Sequence, residues 1–234
     1  MLDKGASVAT TEAVLASAGD YVDLWKFGWG TAYLDRALPT KLALLAGAAV
    51  QACVGGTLLE IAWMQGKAAE CLDWAQEAGF PCVEVSRGVA PMPLESKVEL
   101  IHRATGRFVV LAEVGSKDAH SAPDTAQWAE EVRGDLAAGA RWVVAEGRES
   151  GTVGIYDADG SVREDVVAAA LRGAPVESVL FEAPRKDQQA WFVNAFGPDV
   201  NLANVALDDA LGLETLRRGL RADTFALHPQ RVTT

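Results

Sequence analysis

Arg141–Asp157 reads RWVVAEGRESGTVGIYD, and the reading of this stretch decides the fold. Trp142, Val143, Val144 and Ala145 form a short apolar run rich in β-formers, which predicts a strand. The run ends in Glu146, Arg148 and Glu149, set among Gly147, Ser150, Gly151 and Gly154. A surface loop would also carry three charges. A buried strand that feeds a charged, glycine-rich tip is, however, the way parallel α/β folds present chemistry at their C-terminal strand ends. The same design recurs along the chain.

Downstream, Asp159-Gly160 predicts a turn, and Ser161-Val-Arg-Glu164 has the spacing of a capping box at a helix start. Val176–Pro184 and Val200–Val205 predict strands, and Lys186–Phe196 and Leu207–Leu220 helices. The pairs Trp191/Ala195 and Phe192/Phe196 share a helix face. Upstream, Met1–Lys4, Tyr21–Gly28, Gln51–Gly56, Pro81–Gly88 and Arg107–Gly115 predict strands. Between them lie helices over Thr11–Ala18, Pro39–Ala49 and Pro93–Ala104, and one after Gly56 whose Thr57-Leu-Leu-Glu60 again has capping-box spacing. A further helix, capped by Asp124, carries Trp128, Val132 and Leu136. Strict alternation of near-continuous apolar strands with helices means a parallel sheet covered by helices. Eight such units in 234 residues predict a single-domain (β/α)₈ TIM barrel over an open doubly wound sheet, and no GxGxxG follows the first strand.

Composition bounds the function. Half of the residues are hydrophobic, enough for a large core, and the formal charge is −11, which disfavours nonspecific binding to nucleic acid or an anionic membrane. The start, Met-Leu-Asp-Lys, lacks the apolar core of a signal peptide, and Leu42–Val50 is too short to span a bilayer. Cys53, Cys71 and Cys82 are odd in number with no CxxC spacing, which predicts reduced core residues of a cytoplasmic protein.

The strand ends carry the chemistry. Lys4, Lys26, Glu84, Glu113, Lys117, Glu146, Arg148 and Glu182 all fall at or near one mouth of the barrel. Glu84, Glu113 and Glu146 close three consecutive strands; carboxylates so gathered call for a cation, and oxygen ligands suit Mg²⁺. Neutralisation by neighbouring Lys or Arg is the alternative. Lys4, Lys26 and Arg148 would clamp an anionic substrate, and the amides of Gly55-Gly56-Thr57 at a helix start would add phosphate binding through Gly56. His102, His120 and His228 form no metal or catalytic pattern, and no GxSxG occurs. A lysine is therefore the expected proton donor. Most tryptophans fall at core spacing and read as packing.

The segments YVDLWKFGWGT, GGTLLEIAWMQGK, AEGRESGTVGIYD, FEAPRKDQQAWF and LETLRRGLRADTF closely resemble the phosphosulfolactate synthases, from Asp3 to Phe225 without large gaps. The resemblance implies a (β/α)₈ barrel and a Mg²⁺-dependent lyase that adds sulfite to phosphoenolpyruvate, giving phosphosulfolactate on a route to coenzyme M. It also implies a homo-oligomer, with a trimer as one form. Plant heat-stress-associated proteins share the family, so a non-catalytic role stays open. The family motif EVGKK, which carries the candidate acid, here reads Glu113-Val-Gly-Ser-Lys117 and leaves Lys117 for that role. NLGN becomes Asn201-Leu-Ala-Asn204, keeping Asn204 as a substrate-binding candidate. EVSDG becomes Glu84-Val-Ser-Arg-Gly88, so Arg87 replaces an acid. An arginine there would bind a carboxylate or phosphate of a larger second substrate, and a divergent phosphoenolpyruvate-dependent enzyme of specialised metabolism is the alternative.

Overall fold

The computed structural model describes residues 1–115 and 124–227. In chain order the elements are β1 (Leu2–Asp3), α1 (Val8–Ala18), β2 (Leu24–Phe27), α2 (Thr31–Leu34), α3 (Leu38–Gly47), β3 (Gln51–Val54), α4 (Gly56–Met64), α5 (Ala68–Ala78) and β4 (Cys82–Val85), then α6 (Leu94–Ala104), β5 (Val109–Val114), α7 (Thr125–Ala137), β6 (Trp142–Ala145), α8 (Glu164–Gly173), β7 (Val179–Glu182), α9 (Lys186–Phe196), β8 (Leu202–Ala203) and α10 (Ala210–Arg217). All eight strands pair in parallel in sequence order. The ring closes where Leu2 N–H donates to Val205 O at 2.9 Å. This is the (β/α)₈ barrel that the alternation predicts.

Two departures have local causes. The helix expected after Gly56 is two, α4 and α5, broken at Gly66, whose φ of 70° ends the first. Neither expected capping box forms. The Glu60 carboxylate, fully buried, instead accepts from Ser86 Oγ, from Val89 N at 2.7 Å and from Ala90 N at 2.6 Å. Ser161 bonds back to Asp159, its Oγ at 2.6 Å, and α8 starts after Arg163 with no side-chain cap. A tertiary set of donors takes Glu60, and the preceding turn takes Ser161. The Asp124 cap of α7 does form, accepting from Ala126 N at 2.9 Å and Gln127 N at 3.2 Å.

Alternation along the strands sorts the side chains. Outward residues such as Trp25, Phe27, Val83, Val110, Val143 and Phe181 pack under the helices. Phe181 stacks on Phe192 at 4.5 Å and on Phe196 at 5.7 Å, wedging α9 against β7. Inside the barrel, Leu24, Val109 and Trp142 surround an apolar layer of Cys53, Cys82, Leu111, Val144 and Leu180. One inward step further along the strands come Lys26, Glu84, Glu113, Glu146 and Glu182. The interior is thus an apolar plug capped by a charged layer at the C-terminal mouth. The three cysteines are free thiols, and Cys53 and Cys82 are buried. Among the described residues no helix is long and apolar enough to cross a membrane.

Candidate active site

A cavity of about 450 Å³ opens at the C-terminal mouth, lined by Lys26, Gly56, Glu84, Glu113, Glu146, Arg148, Glu182 and Asn204 among others. A larger one, about 720 Å³, opens at the opposite end beside Asp20, Asp23 and Arg217. Lys26, Glu84 and Asn204 line both, whereas Glu113, Glu146, Arg148 and Glu182 line the first and not the second, and in barrels of this kind chemistry belongs to that face.

Lys26 is the hub. Its ammonium lies 2.9 Å from Glu84 Oε2 and 3.0 Å from Glu182 Oε1, so it bridges β4 and β7 across the barrel. Burial alone would lower its pKa, but Glu84, Glu182 and Glu113 around it outweigh that and hold it well above the usual lysine value. Lys26 is therefore a fixed cation. Glu84 also accepts from Gly56 N at 2.9 Å, at the start of α4. Glu182 accepts from Gly147 N at 3.0 Å, and Glu146 Oε1 from Arg148 N at 2.6 Å.

Glu113, Glu146 and Glu182, all buried, each offer one oxygen within 4.8 Å of the others. Three carboxylates this close are the donor set that would hold a hard cation such as Mg²⁺, which takes oxygen ligands. Three buried carboxylates so placed repel one another unless positive charge sits between them. The set differs from the one read from sequence in holding Glu182 and not Glu84: both acids pair with Lys26 and accept one backbone amide, and of the two it is Glu182 that stands close to Glu113 and Glu146.

The other expected site residues divide. Arg148 is exposed at the rim, and among the described residues its guanidinium has no ion-pair partner. Asn204 is buried, and its Oδ1 has no hydrogen-bond partner among the described residues. Lys4 stands at the edge, 3.9 Å from Glu149. Gly56 lines the cavity, but its N–H is committed to Glu84. Arg87 lies elsewhere: its Nε and Nη2 fork onto Glu131 at 3.0 and 2.6 Å, in the wall between β4 and α7. Lys117 and the loop histidine His120 lie outside the described residues.

Backbone strain marks the same mouth. Trp29, Arg148 and Asn204 adopt left-handed φ of 51°, 52° and 54°, a conformation costing about 1–3 kcal/mol for such residues that tends to gather at functional sites. All three line the cavity. Trp29 departs from the packing role expected of the tryptophans; it is 52% exposed. Its flanking Gly28 and Gly30 in YVDLWKFGWGT were the available signal. Two buried lysines were also missed. Lys41 binds Asp3 at 3.0 Å and Asp35 at 2.9 Å, and Lys97 binds Glu131 at 2.8 Å and Asp135 at 2.6 Å. For Lys97 the signal is its place on one face with Leu100, Ile101 and Ala104.

Comparison with known proteins supplies the family. The family model described as (2R)-phospho-3-sulfolactate synthase matches residues 1–223. The chain belongs to that family. It is 42% identical over 231 residues to the phosphosulfolactate synthase of Methanocaldococcus jannaschii, covering 96% of this chain and 92% of that one. The corresponding Bacillus subtilis enzyme is 39% identical over 233 residues, covering 97% and 91%. Among solved structures, 3-hexulose-6-phosphate synthase from Salmonella typhimurium superposes with a TM-score of 0.60 at 16% identity, covering 97% of this chain and 98% of the other. That last likeness speaks to the barrel fold alone.

Proposed function

We propose that this chain is a phosphosulfolactate synthase, a lyase that adds sulfite to phosphoenolpyruvate with Mg²⁺. The observation that carries the reading is the trio Glu113, Glu146 and Glu182 beside Lys26 and Arg148, at the mouth of a barrel from this family. The trio would hold Mg²⁺, which when bound supplies positive charge beside the substrate carboxylate. Arg148, with no ion-pair partner among the described residues, receives the phosphate or carboxylate at the rim, with Lys4 near it. Asn204 Oδ1 offers a buried acceptor on the cavity wall. Lys26 keeps Glu182 oriented and balances part of the acid layer.

The sulfur lone pair of sulfite forms the new C–S bond at the methylene carbon. The double-bond pair moves toward the carboxylate. A proton from Lys117 then adds to the phosphate-bearing carbon. Lys117→Ala should leave phosphoenolpyruvate binding largely intact and lower turnover by about 10²–10⁴; near-wild-type turnover would transfer the role to another lysine. The commitment of Arg87 to Glu131 favours sulfite over a larger second substrate, since that guanidinium already has its carboxylate.

The test is to incubate the purified protein with phosphoenolpyruvate, sulfite and Mg²⁺ and to seek the sulfonate by mass spectrometry, with EDTA as control. A product that needs all three components is expected. No sulfonate, or the same yield in EDTA, would contradict the reading. A cytoplasmic setting, supported by the free cysteines, and a homo-oligomeric assembly belong to the same proposal.

A further inference from the structure

The ladder between β4 and β5 stops one donor short. Val109 N–H donates to Pro81 O, so alternate residues of β5 turn their peptide groups toward β4. Val110 and Val114 turn the other way, their carbonyls taking the amides of Arg141 and Glu146. By this alternation the carbonyl of Glu113 faces β4, where the amide of residue 87 would be its next donor. But β4 ends at Val85 and the chain departs. Lys97 of α6 fills the place, its ammonium 2.8 Å from Glu113 O.

Lys97 is wholly buried, and its remaining protons go to α7: Glu131 Oε1 at 2.8 Å and Asp135 Oδ2 at 2.6 Å. Arg87 forks onto the same Glu131. Two cations and two carboxylates therefore balance inside the wall. A buried ion network of this kind is seldom better for stability than well-packed apolar residues of similar volume. What apolar residues would not provide is a donor for the Glu113 carbonyl.

We propose that Lys97, oriented by Glu131 and Asp135, is a positioning residue that fixes the end of β5 and so holds the Glu113 carboxylate against Glu146 and Glu182. Arg87 acts with it, steadying Glu131, and is not a substrate ligand. The inference rests on the reading of the acid trio as a cation site, and it predicts that cation affinity depends on a side chain that touches neither cation nor substrate. Outer partners that orient ligands commonly change metal affinity by about 10–100-fold.

The probe is Mn²⁺, titrated into the purified full chain and followed by the loss of its free-ion EPR signal, with no substrate present. Lys97→Met/Asp135→Asn removes the cation together with one counter-charge, so Arg87 still pairs Glu131 and no carboxylate is stranded. This double variant should bind Mn²⁺ about 10–100-fold more weakly. Lys41→Met, a change at a buried lysine outside this network, should lower the melting temperature yet leave Mn²⁺ affinity within about threefold of wild type, well short of the range for ligand-orienting partners. Glu131→Gln keeps Lys97 but loosens its orientation, and it decides the matter if the double variant fails to fold; a loss of at least about threefold is expected, the low edge of such effects. Wild-type affinity in the folded Lys97 and Glu131 variants would overturn this inference alone. A wild-type protein that binds no Mn²⁺ would overturn the cation site and the inference together.

Discussion

Arg148 shows how one residue's conformation serves the site. Its left-handed φ of 52° is held by its own N–H, which donates to Glu146 Oε1 at 2.6 Å, and this turns the guanidinium out to the rim of the cavity. Exposed there, the contact proposed with an anionic substrate would contribute about 1.5–3 kcal/mol, the range for hydrogen bonds to charged groups. Arg148→Ala should weaken phosphoenolpyruvate binding by roughly ten- to a hundredfold in calorimetry at saturating Mg²⁺; unchanged affinity would remove Arg148 from the site. Asp135 gives a pH prediction. Burial pushes its carboxyl up to about 6, with Lys97 at 2.6 Å opposing the rise. Glu131 also faces it, and its charge raises the value further, while Arg87 lowers it. Between the ordinary aspartate value and about 6 the unfolded chain has released this proton while the folded protein keeps it, so this group's contribution to stability falls as pH rises and levels off above that window. Asp135→Asn has no such proton. Its stability relative to wild type, from urea unfolding, should rise by about 2–3 kcal/mol from pH 4 to pH 7, and a pH-independent difference would contradict the assignment.

At the scale of the element, the start of α4 shows how closely the mouth is built. A Cβ on Gly56 would lie 2.8 Å from Ser86 Cβ and 3.1 Å from Ser86 N, so a side chain there collides with the backbone leaving β4. That backbone is held in turn by Glu60, whose carboxylate takes Ser86 Oγ and two loop amides. Gly56→Ala must therefore displace the loop or break the Gly56 N–H bond to Glu84. A loss of about 1–3 kcal/mol of stability is expected, along with reduced turnover as Glu84 and Lys26 shift. Stability and turnover at wild-type levels would show that the loop yields freely. The Glu60 anchor has the same consequence: α4 and the β4–α6 connection form one support for the acid layer.

For the whole molecule, exposed apolar side chains bear on assembly. Tyr33 and Leu34 on α2 are 64% and 80% exposed, and Ile61 and Met64 on α4 are 46% and 60% exposed. The turn into α2 rests on α4, where a Cβ on Gly30 would be 3.3 Å from Leu58, so the two helices that carry these side chains are neighbours. Apolar surface gathered in this way commonly marks an interface, which supports the proposed homo-oligomer. Light scattering of the purified protein should give a mass that is a multiple of 24.8 kDa. Leu34→Lys/Met64→Lys should lower it toward one chain without unfolding it, whereas a monomeric wild type would end this part of the proposal.

Much of this was legible in the residues alone. Period-two strands running into Lys26, Glu84, Glu113, Glu146 and Glu182 determine an α/β barrel with charge at one mouth, because alternation decides which side chains point inward and the strand's direction decides which end they reach. Lateral neighbours are another matter. They depend on the stagger between strands and on where each strand leaves the sheet, and no local pattern records either. So only the tertiary structure decided that Lys26 bridges Glu84 and Glu182, that Glu182 stands with Glu113 and Glu146, and that Arg87 turns into the wall toward Glu131. Glu60 and Ser161 make the same point for helix starts: a capping-box spacing offers a local partner, and a buried carboxylate or a turn hydroxyl with better partners nearby takes those instead.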